Sequence, residues 1–134
     1  METKFNFNSQ ICTSRVQSER LIALGLKKET ADMVHTYLNR WDDYHIHEHN
    51  WSDISCDEQH IPAWSLHRLI NLIPERIGIC GLEHKIAIRE NSVRYVQSET
   101  AYIGPIHGDT LYDKLINCIE WLIKEGYFNK EYLV

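Results

Sequence analysis

Apolar residues recur at helical spacing in three segments of the chain and alternate with polar ones in three others. Val16, Leu21 and Leu24 line one side of a segment that opens on Ser14. Gln17 follows at the spacing of a capping box and Gly25 closes the segment, so a helix is expected over about 14–24. Lys28 to Met33 has room for one or two further turns. Val34, Thr36 and Leu38 then alternate with His35, Tyr37 and Asn39, which predicts a strand over Val34–Trp41, running on through the histidines beyond it. Polar and acidic residues dominate from Asp53 to Gln59 and read as a loop ending at Ile61-Pro62. Proline is tolerated at or just before the first helical position, so a second helix is expected to begin there. Leu66, Leu69, Ile70 and Ile73 give it a continuous apolar stripe, and Pro74 stops it. His84–Arg89 and Ser92–Gln97 set Ile86, Ile88, Val93 and Tyr95 against charged neighbours across Glu90-Asn91, the pattern of a β-hairpin. A loop with Gly104-Pro105 and Gly108 leads to a last helix. It starts near Asp109-Thr110, where Thr110 and Asp113 have capping spacing, and runs through Leu111, Leu115, Ile119 and Leu122 to Gly126.

Helix, strand, helix, hairpin and helix in that order, with no repeat or linker, describe an α+β fold with helices on one face of a small antiparallel sheet. The length of 134 residues fits one domain over 1–134. A content of 43% hydrophobic and 25% charged residues excludes a mainly disordered chain. No run approaches the roughly 18 apolar residues of a membrane span, and the start METKFNFNSQ lacks the apolar core of a secretion signal. The expected location is therefore cytoplasmic, with no membrane partner.

Cys12, Cys56, Cys80 and Cys118 form no CxxC pair. They read as small buried hydrophobes, with a disulfide framework left open by parity alone. The net charge of −5 has the wrong sign for nonspecific binding to duplex DNA. Its distribution is uneven: no Lys or Arg lies between Arg40 and Arg68, where Asp42, Asp43, Glu48, Asp53, Asp57 and Glu58 fall, leaving the rest slightly basic. That window reads either as a solvated acidic loop or as a face for a basic partner, with Trp51 beside Asp53, Asp57 and Glu58 as its anchor.

The punctuating motifs SERLIALG (Ser18–Gly25), TADM (Thr30–Met33), PAWSL (Pro62–Leu66), LINLIP (Leu69–Pro74) and CIEWLIKEGY (Cys118–Tyr127) resemble a group of small uncharacterised proteins of Bacteroides-type phages, prophages and mobile elements. The likeness spans nearly the whole chain and implies a genetic setting, inside a bacterial host cell, with no catalytic assignment attached. Within it, TADM looks like a turn whose Thr30 and Asp32 satisfy backbone groups, and Trp64-Ser65 like the opening of a packed helix. The chain departs from that group over Asp42–His60.

That departure holds the sharpest local feature, His45, His47 and His49 at every second position. On a strand, residues two apart share a face at roughly 6.6–6.8 Å, close enough for neighbouring imidazoles, with Asp43, to meet one zinc or other divalent transition metal. Tyr44 and Ile46 would then face the core. The third histidine would lie about 13 Å from the first, so a further ligand would have to come from His60, His107 or Glu58. A helix would pair His45 with His49 instead. The plain alternative is a polar strand edge whose histidines titrate at about pH 6.5. No GxxxxGK[ST], GxGxxG, GxSxG, HExxH or deaminase pattern occurs, and nothing designates a base for Cys80. The hairpin and the loop after it carry Lys85, Arg89, Arg94, Tyr95, Tyr102 and His107, a basic and aromatic set suited to a phosphate and a stacked base. The leading expectation is a non-enzymatic binding protein without a cofactor, acting in counter-defence on a host protein or other macromolecule, or sequestering a nucleotide-like anion. The alternatives are a metal-dependent hydrolase built on the histidines and a homo-oligomeric accessory protein without ligand.

Overall fold

In the computed structural model, which describes residues 10–38, 43–48, 60–89 and 92–134, helix α1 spans Arg15–Ala23 and starts with the expected capping box. The Gln17 amide donates to Ser14 Oγ and the Ser14 amide donates to the Gln17 side chain, which satisfies two donors that a helix start leaves open. The buried side of α1 is narrower than its apolar pattern implies. Leu21 and Ser18 are buried, the latter bonded to Thr13 Oγ1 at 2.7 Å, whereas Val16 is 75% exposed.

After a 3-10 turn over Lys28–Thr30 comes a three-stranded antiparallel sheet in the order β2-β1-β3, with β1 Met33–Leu38, β2 Asp43–Glu48 and β3 His60–Ala63. Two expectations are corrected here. The histidine-bearing segment does not prolong β1 but turns back to pair with it, Thr36 opposite His45 and Val34 opposite His47. Ile61-Pro62 belong to β3 rather than to a helix start. Proline has no amide to donate, and β3 is an edge strand, where a missing donor is tolerated. Helix α2, Leu66–Leu72, is capped instead by Ser65, whose hydroxyl accepts from the Arg68 amide at 3.2 Å. Leu69 and Ile73 of its predicted stripe are buried, with Leu66 and Ile70 packed against the core.

A second antiparallel sheet follows, β4 Arg76–Ile79, β5 Leu82–Arg89, β6 Ser92–Val96 and β7 Tyr102–Ile103, adjacent in that order. The expected hairpin is β5–β6. Its flanking strands escape a pattern search because β4 has four residues and β7 two. Helix α3, Leu111–Glu125, is capped by Thr110, which accepts from the Asp113 amide at 3.2 Å, and stops at Gly126 in the left-handed conformation. Leu115, Ile116, Ile119 and Leu122 are fully buried, and α3 packs against β6, α1 and α2. The fold is α+β, built on two small sheets where one was expected.

Trp64, fully buried, ties the first sheet to the helices. Its indole Nε1 donates to Thr30 Oγ1 at 2.9 Å, its amide to Thr13 Oγ1 at 3.1 Å, and its carbonyl accepts from the Thr13 amide at 2.9 Å. Asp32 accepts from both the amide and the hydroxyl of Ser65, and Arg68 Nε donates to the Thr30 carbonyl at 2.6 Å. Thr30 Oγ1 donates to the Lys27 carbonyl at 2.7 Å, so Thr30 and Asp32 both satisfy backbone groups.

Cys12 and Cys118 are buried thiols, while Cys80, expected to be buried, is exposed; Cys56 lies outside the described residues. The reason is position: Cys80 occupies the β4–β5 turn, with φ +53°. No disulfide joins these three. Burial pushes Cys12 up to about 11, helped by the Asp32 charge, and Cys118 up to about 12. No helix among the described residues is long and apolar enough to cross a membrane.

Thr30→Val strands the Trp64 indole donor and is expected to lower unfolding free energy by about 1–3 kcal/mol, with Thr30→Ser costing less. The urea midpoint at unchanged slope measures it. The two thiols set a pH dependence. Above their ordinary value of 9.0 the unfolded chain loses protons that the folded chain keeps, so stability falls as pH rises from there toward the folded values. Cys12→Ala and Cys118→Ala should each flatten that fall in urea titrations taken at successive alkaline pH values.

Candidate functional site

Alternation along β5 and β6 sorts their side chains onto two faces. Val93 and Tyr95 lie on the α3 side and are fully buried. Ser92, Arg94 and Val96 take the opposite face, standing across from Arg89, Ala87 and Lys85, and β7 adds Tyr102 across from Val96. Lys85 and Arg89 are therefore the two diagonal neighbours of Arg94, each at roughly 7–8 Å in such a register.

These residues line a groove of about 1070 Å³ on the solvent side of the sheet, to which Ser98 and Glu99 also contribute. Three cations, Lys85, Arg89 and Arg94, face one carboxylate, Glu99. Lys85 Nζ lies 3.7 Å from Glu75 Oε1 in an exposed pair, worth about 0–1 kcal/mol and readily exchanged for another anion. Arg89 and Arg94 have no carboxylate partner among the described residues.

Arg94 is held in place. Its Nε donates to Ser92 Oγ at 3.3 Å, and its guanidinium carbon sits 5.1 Å from the centre of the Tyr102 ring, a cation–π distance. The strand returning from β7 passes close beside it, with the Ile106 amide donating to the Val93 carbonyl at 2.8 Å. Only glycine fits that passage at Gly104, where φ is +119° and a Cβ would meet Arg94 Cβ at 3.0 Å.

The chain matches no protein-family model, no curated protein and no solved structure.

Of the residues expected to bind a ligand, Arg89, Arg94 and Tyr102 come together in the groove. Tyr95 does not, which corrects its assignment. As the neighbour of Arg94 on a strand it must point the other way, and it is core: its hydroxyl donates to the Pro74 carbonyl at 2.6 Å and its ring lies 6.1 Å from Trp121. Burial pushes its hydroxyl well above the ordinary tyrosine range. His107 lies in a separate, smaller cavity of about 360 Å³ on the other side of Arg94, shared with Lys114. Lys114 carries no signal in the sequence, being one polar residue of an amphipathic helix brought there by folding.

The strand expected for the histidines exists. Asp43, His45 and His47 hold alternate positions of β2, so the helical pairing of His45 with His49 does not apply, and Ile46 is half-buried. Thr36 has His45 as its partner on one side and His60 on the other, whereas His107 belongs to the loop before α3. Among the described residues no group of three or more His, Cys, Asp or Glu could hold a metal ion. His49, Trp51, Asp53, Asp57 and Glu58 lie outside the described residues.

Tyr95→Phe removes only the bond to Pro74 and is expected to cost about 0.5–1.5 kcal/mol of stability. Tyr102→Ala, at a side chain 45% exposed and engaged mainly by Arg94, should cost at most about 1 kcal/mol. Urea denaturation of the two variants side by side tests the assignment of one ring to the core and the other to the groove.

Proposed function

We propose that the protein is a non-enzymatic binding protein that holds a nucleotide-like anion on the open face of β5, β6 and β7. The observation that carries this is that Lys85, Arg89 and Arg94 line a single groove in which Arg94 lies over a half-exposed ring, Tyr102. Guanidinium groups recognise phosphoryl oxygens through paired, charge-assisted hydrogen bonds, and an aromatic ring offers a stacking platform to any base. Arg94, already lying over Tyr102, would bind the phosphate beside the ring that takes the base. The groove lining is dominated by cations and one aromatic ring, the chemistry of holding an anion.

The same proposal includes the setting implied by the chain's resemblance to phage and mobile-element proteins. A small protein that captures a nucleotide without consuming it acts by stoichiometry, and counter-defence by sequestration is a role of that kind. The net charge of −5 works against wider nucleic-acid binding.

Isothermal titration with a nucleoside monophosphate at low salt should show saturable binding that weakens as salt is added. Arg89→Ala and Arg94→Ala should each weaken it roughly tenfold or more, since a charged hydrogen bond is worth about 1.5–3 kcal/mol, while the thermal midpoint stays close to that of the parent. Absence of binding, or equal binding by both variants, would overturn the proposal.

A further inference from the structure

The smaller cavity beyond Arg94 is built from three elements. Arg94 and Ser92 come from β6, His107 from the loop, and Lys114 from α3. The loop is anchored at both ends of this stretch: the Ile106 amide bonds to β6, and Asn117 Nδ2 donates to the His107 carbonyl at 2.6 Å. Gly108 lets it pass against α3, where a Cβ would lie 2.7 Å from the Lys114 amide nitrogen. That close passage brings His107 and Lys114 to the cavity that Arg94 enters from the sheet. Among the described residues no carboxylate lines it. The large groove and this cavity share Ser92 and Arg94, so the two adjoin at Arg94.

We infer that this cavity is a second phosphate subsite and that the ligand is a nucleotide carrying at least two phosphoryl groups, one on each side of Arg94. The inference rests on the nucleotide-binding reading of the groove and extends it. A volume of about 360 Å³ holds a phosphoryl group with its waters, whose individual share is about 30 Å³ each. In this arrangement the base takes Tyr102 and the second phosphoryl group meets His107 and Lys114. Arg94 can donate to both groups, because a guanidinium presents five donors in a fixed fork. Lys114 supplies the counter-charge that a monophosphate in the groove would never meet. Two linked nucleotides and a nucleoside diphosphate share this chemistry.

The test is calorimetric titration of the full chain with AMP, ADP and the linear dinucleotide pApA, for the parent protein and for Lys114→Gln, Lys114→Arg and Arg89→Ala. At least one two-phosphate probe should bind tenfold or more tightly than AMP. Lys114→Gln should abolish that advantage while leaving AMP affinity unchanged, and Lys114→Arg should retain it. A preference for ADP would identify a pyrophosphate ligand, and a preference for pApA a phosphodiester. If AMP binds and Arg89→Ala weakens it, but neither two-phosphate probe gains or Lys114→Gln keeps the gain, the second subsite is wrong and the groove stands. If no probe binds, or Arg89→Ala changes nothing, the groove itself is wrong and the subsite falls with it.

Discussion

The packing of α3 against β6 settles which side of the second sheet is inside, and the candidate site follows from that choice. Leu115, Ile116, Ile119 and Leu122 are buried without remainder, and each apolar side chain removed from water contributes about 1.5–3 kcal/mol. Val93 and Tyr95 meet this stripe, with the Trp121 ring tilted against both Tyr95 and Tyr127. The strand period of two then sends Arg94 to the opposite face. Reversing the strand would bury a guanidinium and expose a tyrosine, a loss on both counts. The basic face is thus a consequence of how the core is filled.

A different kind of constraint governs the first sheet. Around Trp64 the fixing contacts are hydrogen bonds of buried groups, Thr13, Ser18 and Thr30 among them, and each has a partner. Hydrogen bonds are directional, so this cluster sets the angle at which β3 hands over to α2, which apolar packing alone would leave loose. The end of the chain closes the structure on the same side: Leu26 pairs with Leu133, and the Val134 amide donates to the Gly25 carbonyl at 2.7 Å.

The three helices, with their caps at Ser14 and Thr110 and their stops near Gly25 and Gly126, were legible because capping and apolar periodicity are local signals. So was the β5–β6 hairpin, where four apolar residues alternate along two paired strands. What escaped was short or nonlocal. Pro62 imitates a helix start, and only its pairing with Val34 shows it to be an edge-strand residue. Val16 joins the apolar side of α1 by spacing, yet the inward face is chosen by the Thr13–Ser18 bond. Tyr95 was grouped with Arg94 because they are neighbours in sequence, although the strand period that placed Ile86 and Ile88 inward already separates them.

The sequence by itself determined the class of fold, the ends of α1 and α3, the hairpin and the presence of a cationic, aromatic segment from Lys85 to His107. Each of these depends on residues within one turn or one strand pair, where spacing and backbone chemistry suffice. The tertiary structure alone decided that the strands form two sheets, that Lys114 joins Arg94 and His107, and that Trp64 finds Thr30 and Thr13. Those meetings join residues far apart in the chain, and they are selected by the burial of apolar surface and the pairing of buried polar groups across the whole molecule, which no local pattern records.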